Sequence, residues 1–222
     1  MFKYDSGIMS FLGKVADIVI LNLLTLLCCI PIVTIGASLT AAHYTALKMH
    51  RDTDNYVFRN FFRSFKANIL QSTLIWILWL VAVALSVYAY MFYQEGGIGS
   101  ILKGVMCSML IFIAMITMWL FPLQARFANP IRTTIRNAFL FSCRYFLRTL
   151  GMLAVTAAAV ALWVFLSMQL YWIPLMFGFA IPIYLSAMMY SKVFEKLEEQ
   201  IFAEQSAGQD SEEVAEIIQQ EE

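Results

Sequence analysis

The sequence predicts an all-α fold, a polytopic helical membrane bundle, and three observations predict it. The hydrophobic share is 61% and the charged share 14%, against roughly 45–50% and about 25% in soluble domains. Uncharged stretches run over 18–47, 67–94, 104–125 and 149–191, and a helical crossing needs about 20 apolar residues. Five Lys/Arg fall in 48–66 and five in 126–148, whereas the short turns between apolar stretches hold Lys103 or none. A soluble chain of 222 residues has no interior large enough for that apolar surface, so the excess faces lipid.

Taken in order, the pattern yields six helical segments at about 8–30, 37–50, 67–93, 103–125, 149–168 and 173–202. Two basic amphipathic surface helices, at about 56–66 and 130–147, complete the membrane domain 1–203, and an acidic tail follows at 204–222. The first segment should stop at Pro31, which lacks a backbone donor and disfavours helix at Ile30. Thr34-Ile35-Gly36 then offers a turn, so 8–48 is read as two helical segments, which make two passes or a re-entrant pair, against the alternative of a single crossing. No cleavable signal peptide is expected, because the run lacks a small-residue cleavage site and continues past Pro31. Lys14 and Asp17 stand three apart, a spacing that allows a pair on one helix face. Ala37, Ala41 and Thr45, flanked by Ser38, Ala42 and Ala46, form a small-residue face suited to close helix packing.

In 56–66, Phe58, Phe61, Phe62 and Phe65 share one face, and Arg59, Arg63 and Lys66 share another. That arrangement predicts a helix in the headgroup plane, with rings in lipid and cations among the phosphates of an anionic inner leaflet. A nucleic-acid patch has no need of the Phe stripe, so no nucleic-acid partner is expected. The segment 67–93 is a clean crossing, with Tyr88, Tyr90 and Tyr93 as an aromatic belt. Glu95-Gly-Gly-Ile-Gly-Ser is a tight turn, and 103–125 returns the chain. Asn129-Pro130 reads as an N-cap followed by proline at the first helical position. The second surface helix carries Arg132, Arg136, Arg144 and Arg148 with apolar Ile135, Phe139 and Phe146.

FRNFF at 58–62 aligns with IRNAF at 135–139, and VAVAL at 81–85 with AAVAL at 158–162. Both pairs give an offset of 77, which suggests an internal repeat. The hairpin 149–168/173–191 turns at Gln169–Pro174, where Tyr171 and Trp172 mark an interface. From Lys192 the last helix should continue into water. All seven charges from Glu204 onward are acidic, which suits a solvated or disordered end. The arginine bias places both long loops and the C-terminus in the cytoplasm, with the N-terminus beside them.

Chemistry-bearing residues are few. Asp17, Asn22, Thr34, Ser38 and His43 are the candidate substrate-binding cluster, since they surround the interrupted first helical pair. His43 and His50 lie seven apart without carboxylate or cysteine ligands nearby, so no metal site is expected. Cys28, Cys29, Cys107 and Cys143 lack metal-type spacing and read as reduced packing residues. No HExxH, GxSxG or phosphate-loop pattern appears. No catalytic residue and no cofactor are therefore predicted, and the chain is read as not an enzyme.

LNLLTLLCCIPIVTIGASLTAAHY (21–44), followed by FFRSFKAN (61–68), resembles the YesL family of bacterial integral membrane proteins. The elements LNLL, PIVTIGAS and F-F-x-x-F-K stand as in the family pattern, and the resemblance covers roughly residues 5–200, leaving the acidic tail outside. It implies a Gram-positive plasma membrane and an association with carbohydrate utilisation, including sugar importers and polysaccharide-degrading enzymes. It implies no mechanism. Two functions remain open on the sequence. One is an accessory or scaffold component beside a sugar permease or another membrane protein. The other is a small transporter or channel subunit, for which a homo-oligomer is one arrangement, with its polar site at the broken first pair.

Overall fold

The computed structural model describes residues 7–53, 56–92, 98–127, 129–167 and 176–221. Among the described residues seven long α-helices follow in order: α1 (Gly7–Cys29), α2 (Ile35–His50), α3 (Val57–Phe92), α4 (Ile98–Arg126), α5 (Ile131–Arg144), α6 (Phe146–Ser167) and α7 (Ala180–Glu221). A 3-10 turn, Ile32–Thr34, separates α1 from α2. No strand occurs among the described residues. Among the described residues four helical stretches are long and apolar enough to cross a bilayer: Phe11–Cys29, Val57–Phe92, Gly99–Arg126 and Phe146–Leu166. The predicted turns at Gln169–Pro174 and Glu95–Gly97, and the Tyr93 end of the belt, lie outside the described residues.

Cross-helix contacts set the topology. Ser38 bonds Thr25 and Lys14 pairs with Asp52, so α2 runs back along α1. Lys48 reaches Asn60 while Thr40 reaches Ser72, so α3 runs antiparallel to α2. Trp79 donates to Thr117, and Trp119 to Thr149, which reverses direction again at α4 and α6. The long loops therefore gather at one end of the bundle, here termed the loop end. Trp119, Phe61, Tyr190 and Phe194 are fully buried in one shared hydrophobic core.

The first pair, α1 and α2, is a helical hairpin. Pro31 adopts an extended conformation (φ −76°, ψ 117°) and ends α1 at Cys29. Trp76 Nε1 donates to the Ile32 carbonyl at 2.9 Å, so the turn lies level with Trp76. From there α3 continues sixteen residues to Phe92, about 24 Å at 1.5 Å per residue. The turn exposes Ile30 (75%), Ile32 and Val33, an apolar tip suited to hydrocarbon. The small-residue face of α2 packs chiefly on α3, as its spacing requires.

Several boundaries differ from the expectation. The 56–66 surface helix and the 67–93 crossing are one continuous helix, α3, because no Gly, Pro or cap interrupts them. Its Phe stripe is not a lipid face. Phe61 is fully buried, and Phe62 and Phe65 pack against the core, because the small face of α2 leaves room for rings; only Phe58 is exposed. Arg59, Arg63 and Lys66 remain exposed. In α5 the N-cap is Pro130 rather than Asn129. Arg132, Arg136 and Arg144 are exposed, while half-buried Arg148 donates to the Met189 carbonyl at 3.4 Å. The acidic segment is continuous with α7, whose helix runs to Glu221.

The offset of 77 recurs in burial. Val57 and Thr134, Phe61 and Ala138, Ser72 and Thr149, and Ile75 and Met152 are all buried. The second unit differs by a break at Tyr145 (φ −112°, ψ 43°), which divides α5 from α6 where α3 runs straight.

Candidate functional site

The five clustered residues are dispersed by the fold. Asn22 is fully buried on α1, and its Oδ1 accepts from the Phe179 and Ala180 N–H groups at 2.8 and 3.0 Å. It caps the first turn of α7, supplying an acceptor to donors that helix geometry leaves open. Thr34 Oγ1 donates to the Cys28 and Pro31 carbonyls at 2.7 and 2.9 Å. Ser38 Oγ donates to the Thr25 carbonyl at 2.9 Å. These three side chains satisfy backbone at the two helix interruptions, which lipid cannot do. The four cysteines are free thiols.

Asp17 lies at the loop end. It borders a pocket of about 420 Å³ with Gly13, Lys14, Ile18, Met49, Asp52 and Tyr184. Lys14 pairs with Asp52 at 3.5 Å rather than with Asp17. The cause is the Schellman end of α2, where Asp52 N bonds Met49 O and Thr53 N bonds Lys48 O. Asp52 takes the left-handed position of that motif, at φ 48°, a role that Gly usually fills and Asp tolerates. Asp17 has no hydrogen-bond or ion-pair partner among the described residues.

Beside this pocket is a clasp that sequence reasoning missed. Arg51, the C-cap of α2, donates through Nη1 to both Glu198 oxygens at 3.2 and 3.0 Å. Its Nε reaches Ser191 Oγ at 3.3 Å and lies 3.5 Å from Glu195. Arg126, ending α4, donates to Glu198 Oε1 at 2.7 Å. One carboxylate on α7 thus binds the ends of α2 and α4. Burial pushes the Glu198 carboxyl up, but the hydrogen bonds from Arg126 and Arg51 more than offset this and hold it below the usual range. The signal was available: Glu198 stands four residues after buried Phe194, on the same helix face.

His43 lies apart from both groups. Its Nδ1 is 3.2 Å from Tyr190 Oη, and Tyr190 also donates to the His43 carbonyl at 3.4 Å. His43 borders a separate cavity among α2, α4, α6 and α7.

Fold and polar groups together define a multi-pass helical membrane protein whose first two helices form a hairpin and whose ion pairs, among the described residues, gather at one end. Residues 18–90 match the model of the family described as "Protein of unknown function, DUF624". That match takes in α1 from Ile18, all of α2 and α3 to Tyr90, shorter than the roughly 5–200 expected, and it holds both motifs on which the resemblance rests. No curated protein and no solved structure matches the chain.

Proposed function

We infer that this protein is a non-enzymatic accessory or scaffold component of the plasma membrane that packs beside another integral membrane protein. The observation that carries this reading is the clasp: Glu198 ties α7 to the ends of both α2 and α4, which favours a fixed body over a rocking transporter. The polar groups of the interrupted segments are spent on the protein's own backbone. Away from the loop end, α3, α4 and α6 present apolar faces, including Leu85, Ile101 and Phe165, that suit lipid or a partner's helices. The resemblance at 21–44 and 61–68 supports a sugar permease as that partner. In this reading the arginine-rich loop end is cytoplasmic and meets anionic lipid, and the acidic end of α7 stays free for a soluble partner.

Extraction in a gentle detergent should recover the chain with a permease, and deletion of 204–222 should weaken association with any soluble component. Recovery as an isolated monomer or homo-oligomer counts against the reading. A membrane-impermeant reagent should leave Thr133→Cys unlabelled in sealed cells. The second reading, a small transporter, draws on the pocket with unpaired Asp17. It requires that Asp17→Asn abolish uptake while the protein stays folded, whereas a scaffold tolerates that change.

A further inference from the structure

Beyond the loop end, the bundle contains a groove that the scaffold role does not use. Its deep part, about 210 Å³, is bordered by Leu39, His43, Phe121, Ile183 and Ser186. Through Thr156, Phe179 and Pro182 it adjoins a second pocket of about 200 Å³ along α6. Trp163, Gly178 and Pro182 link that pocket to a third, of about 100 Å³, beside Leu162 and Leu166. The walls are almost wholly apolar, and Leu162, Trp163 and Ile181 at the shallow part are exposed on the lipid-facing surface. Protein interiors hold few voids larger than a water molecule, and in a bilayer the medium available to fill such a groove is alkyl chain.

The deep part is not apolar throughout, and its polar groups differ in what they have left to give. Thr117 and Thr156 already donate to the Ile113 and Met152 carbonyls. Ser186 is only 5% exposed, borders the cavity, and has no hydrogen-bond partner among the described residues. His43 has its Nδ1 engaged by Tyr190, and its other ring nitrogen has no partner among the described residues. A hydroxyl that borders an apolar cavity without a partner is costly, so α2 and α7 together present unused hydrogen-bonding capacity at the bottom of an apolar slot.

We propose that this groove binds an uncharged, single-chain lipid from the bilayer, a long-chain alcohol in chemical class, with its oxygen at His43 and Ser186 and its chain along Trp163. A charged headgroup is excluded by the chemistry of the deep part, which holds no charged side chain. A plain hydrocarbon leaves Ser186 unmet.

The test uses the full chain in detergent and 1-hexadecanol carrying a mid-chain diazirine. Photolabelling should saturate and map to 156–166 and 179–186. Unlabelled hexadecanol should compete about tenfold better than hexadecane, the worth of roughly one hydrogen bond. Ser186→Ala, nearly isosteric, should erase most of that preference, and Ala159→Trp should abolish labelling by filling the groove. Because the alcohol-to-alkane preference is a ratio, it reads correctly even if part of a preparation is unfolded. Equal competition by hexadecane overturns the proposal and leaves a non-selective slot for phospholipid chains. Labelling spread evenly over Leu70 and Leu85, or unchanged preference in Ser186→Ala, overturns it as well.

Discussion

Gly36 is where a single atom decides how closely α2 can lie on α3. A Cβ built there meets the Ser72 carbonyl oxygen and lies 2.6 Å from Trp76 Cβ. Gly36→Val should therefore cost about 1–3 kcal/mol, the usual range for overpacking, read as a lower thermal midpoint in detergent. Gly104 offers the opposite sign: it lies inside α4 with nothing within 4 Å of its built Cβ. Gly104→Ala should stabilise by roughly 0.5–1 kcal/mol, because glycine surrenders more backbone freedom on becoming helical. Asn22→Ala should destabilise by about 1–3 kcal/mol, because the first N–H groups of α7 lose their acceptor. Faster proteolysis near Gly178 should accompany that loss.

At the scale of the element, the hairpin of α1 and α2 and the start of α7 pose the same problem. Each leaves helix-end groups that an apolar surround cannot satisfy, and each is answered by a short polar side chain: Thr34 and Ser38 at the first, Asn22 at the second. Thr34→Val removes the donor to the Cys28 and Pro31 carbonyls and preserves the shape. It should lower the thermal midpoint, by an amount equivalent to roughly 1–3 kcal/mol, with no change in membrane insertion. A larger loss of inserted protein would mean that the turn is needed for entry into the bilayer rather than for stability. The continuity of α3 follows from similar reasoning: Phe61 finds a place against the alanines of α2, so the helix has no reason to bend at Lys66.

For the whole molecule, the clasp is the titrating joint. The Glu198 carboxyl lies below its ordinary value of 4.5 when folded, so its contribution to stability is fully present above about pH 4.5. It is lost as the pH falls through the lower, folded value. Wild-type protein and Glu198→Gln should therefore differ in thermal midpoint at pH 7 and converge in acid. A constant gap down to pH 3 would remove the clasp from any role in holding the loop end together. The same joint makes the molecule asymmetric across the membrane, with ionic contacts at the loop end and apolar faces along the rest of α3, α4 and α6.

The helical class, the apolar spans, the stop at Pro31 and the packing face of α2 are legible in the sequence, because each depends on local periodicity or on one residue's backbone chemistry. The polar cluster is not. Asp17, Asn22, Thr34, Ser38 and His43 are close in the chain, yet Asn22 serves α7, Thr34 and Ser38 serve α1, and Asp17 and His43 border different cavities. The Phe stripe misled for a related reason: period alone tells which residues share a face, not whether lipid or a neighbouring helix covers it. The linear order by itself therefore determined that this chain is helical and membrane-borne, since propensity and hydropathy are local sums. Only the tertiary structure decided that 8–48 turns back level with Trp76, that Glu198 joins two arginines, and that Ser186 meets a cavity beside His43. Those outcomes depend on residues 44 to 147 positions apart competing for the same few acceptors and the same space.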